Sequence, residues 1–226
     1  MLLLLAGMAT AQHASLMGFS GLIVTPSADL APDGQLSLGV SRIPELYADK
    51  LRPYQRTVYF ARLGYLPFLE GTAMIVRPDD YPGGVGDRSL HVKFQLLHEK
   101  GHRPGMAIGA QDFFAARGLD FEPARAQHFA ALYVVASKNL SLQPVPVRWH
   151  LGFGADWLPA KNRFLDGLFA GVTLTPHRYL IFLAEYDAHA FNAGFRLHPV
   201  SWVQAQLAWW KLQQWTATLV LSASFK

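Results

Sequence analysis

The chain has no cysteine among its 226 residues. This absence excludes disulfide bonds, thiol catalysis and cysteine-ligated metal sites, and it leaves no cysteine for a lipid anchor. Charge is also scarce, since Asp, Glu, Lys and Arg make up 16% of the residues, against roughly 25% in a typical soluble domain. The formal net charge of +4 is modest and Lys and Arg do not cluster, so we expect no nucleic-acid partner.

Long apolar runs are missing after the N-terminus, although 51% of the residues are hydrophobic. No run there approaches the roughly 18 residues of a membrane-spanning helix. The opening MLLLLAGMATA has the apolar core and small-x-small end of a secretory signal, which predicts a signal peptide over residues 1–11 with cleavage before Gln12. The alternative is a buried N-terminal segment. Residues 12–33 show no clear strand pattern, and we interpret them as a periplasmic arm or a plug.

What the chain has in abundance is strict alternation of polar and apolar residues, in short runs bounded by Gly, Pro, Asn and Asp. Such alternation is typical of β-strands with two different faces, and helical periodicity is weak throughout. The pattern therefore predicts an all-β chain. Twelve runs occur, at 34–43, 56–66, 68–77, 89–97, 105–113, 128–138, 145–157, 164–175, 179–187, 190–198, 202–212 and 215–225.

The connections between runs are of two kinds. Every second connection contains a proline, which ends a strand because it offers no N–H to the ladder; these are Pro67, Pro104, Pro144, Pro176 and Pro199. The connections after the first, third and fifth runs are longer. Turns at one end and longer loops at the other are typical of outer-membrane barrels. We therefore predict a closed antiparallel transmembrane β-barrel of about 12 strands over residues 34–226.

The two faces of the runs have the composition of a barrel wall in lipid. In residues 145–157, Arg148 and His150 alternate with Trp149 and Leu151. Lipid outside and a wet lumen inside explain such a division, because only a closed barrel satisfies every backbone group of a sheet in hydrocarbon. The faces of the third and eighth runs do not follow from the pattern. Interfacial girdles are predicted from outward Tyr59, Trp157, Trp209 and Trp215 at the loop ends and from Tyr65 and Phe225 at the turn ends.

The polar face supplies the candidate lumen residues. Their mixed charge and amides, together with inward aromatics such as Trp210, are suited to guiding a hydroxyl-rich glycan. The alternative is a purely structural role, in a static network in which Glu185 and Asp187 pair with Arg148 or Arg196 to neutralise the charge of the lumen. The candidate lumen or ligand-facing residues are Arg62, His91, Lys93, Gln95, Gln111, Arg148, His150, Asp156, Glu185, Asp187, His189, Asn192, Arg196, His198, Gln204 and Gln206.

Catalytic and metal motifs are missing. Ser89 and His91 share a face, but no acid is placed by sequence to orient the histidine, and no G-x-S-x-G motif occurs. The loop DDYPGGVGDR lacks the ordered spacing of a calcium site and the helix-opening glycines of a dinucleotide site. No histidine pair has a recognised ligand spacing. We therefore predict no catalytic residue, no metal and no cofactor.

Several blocks in order resemble the YjbH-like outer-membrane proteins associated with exopolysaccharide production and secretion. The resemblance covers nearly all of the chain after the predicted signal peptide, and it is to the first barrel of these longer proteins. It implies an outer-membrane barrel of a polysaccharide export or modification system. The blocks are GLIVTPSA (21–28), APDGQLSLGVS (31–41), GDRSLHVKFQLL (86–97), MAIGAQDFF (106–114), YVVASKNL (133–140) and FAGVTLTPHRYLIFLAEYD (169–187).

The sequence thus predicts a non-enzymatic barrel of the Gram-negative outer membrane that takes part in exopolysaccharide export, as a conduit or an accessory. One alternative is a structural barrel or assembly partner with a plugged lumen. Two others are an outer-membrane lipid or glycan hydrolase that uses Ser89 and His91, and a soluble binding barrel. The expected partners are outer-membrane lipid first, with polysaccharide and other export-system proteins as further candidates.

Overall fold

Twelve antiparallel strands form a closed barrel in the computed structural model, which describes residues 13–44, 56–79, 87–116, 129–140, 145–155, 157–158 and 165–225. Each strand pairs with its neighbours in sequence, and the last strand closes on the first. The all-β, closed-barrel prediction is confirmed. The strands are β1 (Gln35–Ile43), β2 (Arg56–Leu66), β3 (Leu69–Pro78), β4 (Asp87–Leu97), β5 (Gly105–Ala116), β6 (Ala131–Leu140), β7 (Val147–Ala155), β8 (Gly167–His177), β9 (Leu180–Tyr186), β10 (Phe191–Val200), β11 (Val203–Trp210) and β12 (Gln214–Ser224).

The strands follow the alternating runs, with ends that differ by a few residues. The largest extension is in β5, which continues to Ala116 through a shift of register against β4. Asp112 lies at this irregularity with a φ of 49°, in a bulge where three residues of β5, 111–113, stand opposite one residue of β4. Within the described residues, no helix is long and apolar enough to cross a membrane.

The outer wall is apolar and aromatic. Phe94, Leu151 and Leu219 are 42%, 50% and 47% exposed, although they lie in the middle of strands. A barrel in water would not present such side chains over its whole wall, so the outer face fits lipid rather than solvent. Among the outward strand residues that the structure describes, ionic side chains lie only near strand ends, as in Arg42 and Lys138. The predicted girdle residues all face outward: Tyr59, Tyr65, Trp157, Trp209, Trp215 and Phe225.

The faces of the third and eighth runs can now be assigned. In β3 the buried residues are Glu70 and Thr72 near the turn end, followed by apolar Met74 and Val76. In β8, Phe169 and Thr173 are buried. These inward faces are partly apolar because the lumen contains a core for them to pack against. In these two strands successive side chains still point alternately inward and outward, but polar and apolar residues do not alternate with them.

The lumen is occupied by residues 13–31, called the inner segment below. Most of its side chains are fully buried, including Leu16, Phe19 and Ile23. The segment folds back on itself through bridges between Ala14 and Ser20 and between Gly21 and Pro26. It is therefore a compact loop inside the wall. The predicted signal peptide, residues 1–11, lies outside the described residues.

Both ends of the inner segment lie at the turn end of the barrel. His13 contacts His198, which lies near the turn end of β10. At the other end the backbone N–H of Gly34 donates to Gly64 O near the turn end of β2. The chain thus enters and leaves the lumen on the same side.

An apolar core joins the inner segment to the wall. The ring of Phe19 lies 6.5 Å from that of Tyr133, which in turn meets Phe169 edge to face at 6.4 Å. Glycines on neighbouring strands make room for the wall rings, since a Cβ added at Gly152 would lie 2.1 Å from the Phe169 ring. Burial of this apolar surface stabilises the closed arrangement.

Candidate functional site: the filled lumen

Nearly all candidate lumen residues point into the barrel. The buried ones are Arg62, His91, Lys93, Gln111, His150, Glu185, Asp187, Asn192, Arg196, His198, Gln204 and Gln206. Gln95 and Arg148 also face inward but are only partly buried. Asp156 lies outside the described residues. His189 is the exception, because it is exposed in the turn between β9 and β10.

The exposure of His189 has a local cause. Strand β9 ends at Tyr186, and Asp187 then accepts hydrogen bonds from the backbone N–H groups of His189 and Ala190, at 3.0 and 2.8 Å. A side-chain acceptor of this kind closes a tight turn. The alternation that suggested a lumen position for His189 therefore stops two residues earlier, and that prediction is wrong.

Glu185 holds the tip of the inner segment. Its carboxylate accepts hydrogen bonds from the backbone N–H groups of Ile23, Val24 and Thr25, at 3.0, 2.8 and 3.2 Å. The Thr25 hydroxyl and the Asn192 amide donate as well, at 2.7 and 3.0 Å. Among the described residues no salt bridge reaches Glu185. Successive backbone N–H groups form an anion-binding concavity, which here takes the place of a cation.

Glu70 holds two other parts of the inner segment. It accepts hydrogen bonds from the backbone N–H groups of Ser20 and Ala31, at 2.8 and 2.7 Å, and from the Ser20 hydroxyl. Lys93 lies directly across from Glu70 in the sheet, with 3.5 Å between Lys93 Nζ and Glu70 Oε1. Arg62 donates to the Ser20 hydroxyl at 3.0 Å. The carboxylate is thus paired with buried cations as well as with backbone donors.

Cationic side chains bind the carbonyl groups of the same segment. Arg196 Nη2 donates to Gly21 O and Leu22 O at 3.0 and 2.8 Å, and Lys93 Nζ donates to Ser20 O at 2.7 Å. Gln204 both accepts from Ala14 N–H and donates to Ala14 O. Without these partners the buried backbone groups of an irregular loop would be left without hydrogen bonds.

A second network closes the turn end of the lumen. Glu99, in the turn after β4, accepts hydrogen bonds from Lys138 at 2.9 Å and from Arg148. Arg148 also binds Asp29 of the inner segment at 2.7 Å. Burial acts to raise the pKa of Glu99, but the hydrogen bonds from Lys138, Arg148 and the Asn139 backbone outweigh it and hold the pKa below its ordinary value. Arg148 thus joins the wall to the inner segment.

The predicted ion pairs of Glu185 and Asp187 with Arg148 or Arg196 are replaced by pairs with other partners. Arg148 pairs with Glu99 and Asp29, not with Glu185 or Asp187. Arg196 donates to the inner segment and to Gln206. The charged side chains of the wall thus bond Asp29 and backbone groups of the inner segment as well as one another.

A strip of polar side chains beside Phe19 has spare hydrogen-bonding capacity. No hydrogen-bond partner is found, among the described residues, for Thr72 Oγ1, Ser89 Oγ, His91 Nε2 or the Gln111 amide. All four side chains are buried on β3, β4 and β5. Buried groups of this kind are commonly satisfied by ordered water.

The geometry gives no support to a hydrolase that uses Ser89 and His91. His91 Nδ1 accepts a hydrogen bond from the Asp112 backbone N–H at 3.1 Å, and Ser89 Oγ is not bonded to the ring. A nucleophile needs a base within hydrogen-bond reach and a third group that orients the base. In the described part of the chain no group of three or more His, Asp or Glu side chains could hold a metal ion.

Sequence reasoning missed several residues that hold the inner segment. Glu70 belongs to the third run, whose faces were not assigned, yet its position opposite Lys93 pairs two opposite charges on neighbouring strands. Ser137 accepts from the Ala28 backbone N–H at 2.8 Å. Asp29 and Glu99 lie outside the strands, where alternation carries no signal.

Comparisons with known proteins bear on the whole of this barrel. A family model described as "YjbH: Exopolysaccharide biosynthesis protein YbjH" matches residues 14–226. A solved structure entitled "KdgM porin" is similar with a TM-score of 0.49 and 6% sequence identity, over 85% of this chain and 99% of that chain. No curated protein matches the chain in sequence.

Proposed function

This chain belongs to the YjbH family of exopolysaccharide biosynthesis proteins, and we propose that it takes part in exopolysaccharide export as a barrel whose lumen the inner segment closes. In this role the barrel is a conduit, or an accessory to one, and residues 13–31 are its plug. The polysaccharide and export-system proteins are the partners that this role requires.

The outer membrane of a Gram-negative bacterium is the location that the wall supports. The outer face is apolar, with aromatic side chains toward both rims, and closed barrels of this kind span outer membranes. The short connections, such as Arg178–Tyr179 between β8 and β9, then face the periplasm. The longer connections face the outside.

The observation that carries the proposal is how the inner segment is held. Its backbone N–H and C=O groups bind Glu70, Glu185, Arg196, Lys93 and Gln204 of the wall, so polar contacts hold the segment alongside its apolar core. Charged and amide side chains of this kind are also well hydrated in water. Withdrawal of the segment would therefore leave a hydrated lumen lined by charges and amides, which suits a hydroxyl-rich chain.

The position of the segment ends favours withdrawal toward the periplasm. Because His13 and Gly34 both lie at the turn end, the loop can leave as a unit without threading through the barrel. A periplasmic partner that pulls on the segment would open the lumen from that side.

A structural barrel with a permanent plug is the second candidate. It is favoured by the apolar core in which Leu16, Phe19 and Ile23 pack against Phe169 and Trp210 of the wall. Burial of several large apolar side chains resists release of the segment.

Planar-bilayer recording with a reversible lock separates the two candidates. Ala28→Cys with Ser137→Cys introduces a cysteine pair at a contact where Ala28 N lies 2.8 Å from Ser137 Oγ, and the chain has no other cysteine. Glu185→Leu removes the acceptor for the tip of the segment. We expect small conductance for the wild type and stepwise, sugar-sensitive current for Glu185→Leu. Oxidation of the cysteine pair in the Glu185→Leu background abolishes the current, and reduction restores it.

The lock also tests export in cells. One pair of results excludes the conduit and supports the permanently plugged barrel: cells that carry the oxidised double-cysteine variant secrete polysaccharide at the wild-type level, while Glu185→Leu gives no current in bilayers. Each single-cysteine variant is the matched control, because it carries the same substitution without the crosslink.

A further inference from the structure

Four inward polar side chains of the wall make no hydrogen bond to the inner segment. They are Thr72 on β3, Ser89 and His91 on β4, and Gln111 on β5, called the polar strip below. All four are buried, yet the two hydroxyls, His91 Nε2 and both polar atoms of the Gln111 amide have no hydrogen-bond partner among the described residues. A buried polar group without a partner destabilises a fold, so the closed structure alone does not explain the strip.

The strand register places the four side chains side by side. Thr72 and His91 are directly opposite each other on β3 and β4, where side chains are about 5 Å apart. Ser89 follows on the same face of β4, about 7 Å from His91 along the strand. Gln111 belongs to the bulge of β5 that stands opposite His91. The polar strip is therefore continuous across three strands.

The strip begins where two anchors of the inner segment end. Glu70 and Lys93 are the next inward residues on β3 and β4 toward the turn end, and both bind the segment. Ser89 lies in the opposite direction, toward the loop end of β4. Charged groups thus hold the segment, whereas the uncharged groups between them and the loop end keep their hydrogen-bonding capacity. This division assigns the strip to a second ligand.

The hydrogen-bonding chemistry of the strip is neutral. His91 Nδ1 accepts from the Asp112 backbone N–H at 3.1 Å, so the imidazole is uncharged and carries its proton on Nε2, which is a donor and not a metal ligand. The hydroxyls of Thr72 and Ser89 donate and accept, and the Gln111 amide offers two donors and one acceptor. Donors and acceptors without charge match the hydroxyl groups of a sugar.

An aromatic ring of the wall lies next to the strip. Phe19 of the inner segment lies 5.8 Å from the His91 ring and 6.5 Å from the ring of Tyr133 on β6. Tyr133 covers Gly109, two residues before Gln111 on β5, since a Cβ added at Gly109 would lie 2.3 Å from the tyrosine ring. Withdrawal of Phe19 with the segment would uncover Tyr133. Aromatic rings supply a large apolar contact area, which the C–H face of a sugar can cover.

From this arrangement we propose that the polar strip is a subsite for an uncharged sugar residue of the exported chain. The strip binds sugar hydroxyls when the inner segment withdraws, and Tyr133 contacts the face of the sugar ring. While the segment is in place, ordered water satisfies the same groups. The inference rests on the conduit role proposed above, and it names the part of the wall and the kind of sugar that this role involves.

Sugar binding in detergent tests the inference. The probe is maltoheptaose, an uncharged oligosaccharide, titrated by calorimetry into Glu185→Leu, in which the segment tip is released. We expect Thr72→Val to weaken binding about fivefold, and Thr72→Val with Gln111→Leu about 25-fold, since one neutral hydrogen bond contributes on the order of a fivefold factor. Thr218→Val on β12, whose hydroxyl already accepts from Ser41 at 3.0 Å, is the matched control and leaves binding unchanged.

Three results of the titration overturn the proposal. The first is the absence of maltoheptaose binding, and the second is unchanged binding by the double strip variant. The third is tighter binding of an alginate oligomer of the same length that is lost in the same variants, because the strip would then serve a charged sugar.

The cysteine lock shows whether the sugar binds inside the barrel. In Glu185→Leu with Ala28→Cys and Ser137→Cys, oxidation should abolish maltoheptaose binding and reduction should restore it. Binding that persists after oxidation places the sugar outside the lumen and overturns the proposal.

A stability measurement separates a sugar subsite from a structural water site. Because no protein group bonds Thr72 Oγ1 in the described part of the chain, Thr72→Val in the wild-type background should leave the urea midpoint of unfolding unchanged or raise it. A lower midpoint assigns the strip to water that holds the fold and overturns the proposal. Heat-modifiable migration on gels shows that each variant is folded.

Bilayer current is measured apart from sugar binding, so the two proposals fail separately. Strip-dependent sugar binding without current rejects the conduit and keeps the subsite. Sugar-sensitive current that the strip variants do not change keeps the conduit and rejects the subsite.

Discussion

Two buried carboxylates hold the inner segment, and they are neutralised in different ways. Glu70, near the turn end, combines backbone donors with the ammonium group of Lys93. Glu185, near the loop end, accepts from three successive backbone N–H groups and has no salt bridge among the described residues. The comparison shows that successive backbone N–H groups of an irregular loop can supply the hydrogen bonds that a buried carboxylate requires. It also implies that loss of each carboxylate has a different cost.

The largest effect is expected for Glu70→Leu. The substitution leaves the buried Lys93 without its carboxylate, and removal of one partner from a buried pair costs about 3–5 kcal/mol. The free energy of unfolding, from urea titration of the barrel in detergent, should fall by this amount. Glu70→Leu combined with Lys93→Met is the control, and it should recover part of the loss. A variant as stable as the wild type would show that the pair is not held in the folded barrel.

Glu185→Leu should cost less than Glu70→Leu. Arg196, which interacts electrostatically with Glu185, keeps its hydrogen bonds to Leu22 O and Gln206, and the segment tip can turn toward water. We therefore expect a loss of about 1–3 kcal/mol for the unsatisfied donors. Hydrogen exchange should rise at Ile23, Val24 and Thr25, and should stay unchanged at Ala31, which Glu70 holds. If Glu185→Leu proves the more damaging of the two, the distinction between the anchors is wrong.

Two glycines near the anchors sharpen the comparison. A Cβ at Gly64 would lie 2.1 Å from Pro32 O, a backbone atom, whereas at Gly171 it would lie 2.5 Å from the end of the Leu22 side chain. We expect Gly64→Ala to cost about 1–3 kcal/mol, as overpacking against rigid atoms does, and Gly171→Ala to cost less because the leucine can move. The unfolding midpoints of the matched pair measure the difference, and equal midpoints would contradict it.

The smallest effect concerns the turn end, where Glu99 joins Lys138 and Arg148. Because its pKa is lowered in the folded protein, its contribution is present above the unfolded pKa of about 4.3. That contribution disappears as the pH falls through the folded value. The difference in stability between wild type and Glu99→Gln should therefore be constant above about pH 5 and shrink below about pH 4. A difference that does not change with pH would show that Glu99 is not held as an anion.

The strand pattern was predictable because it depends on local chemistry. A strand in a lipid-facing wall must place every second residue against acyl chains. The outer face, with Phe94, Leu151 and Leu219, was therefore predictable without any tertiary information. The same rule located buried Lys93, Glu185 and Arg196. It failed at His189, where Asp187 closes a turn, and in β3 and β8, where inward side chains are apolar.

By itself the sequence determined the number of strands, their antiparallel closure and which side chains point inward, because each follows from a period of two and from the residues that end a strand. Only the tertiary structure decided what the inward side chains bind. Residues 13–31 have no periodic pattern, and their backbone groups are satisfied by wall residues such as Glu70 and Glu185 that lie far away in the chain. Such contacts depend on the closed barrel bringing distant strands around one loop, which no local pattern encodes.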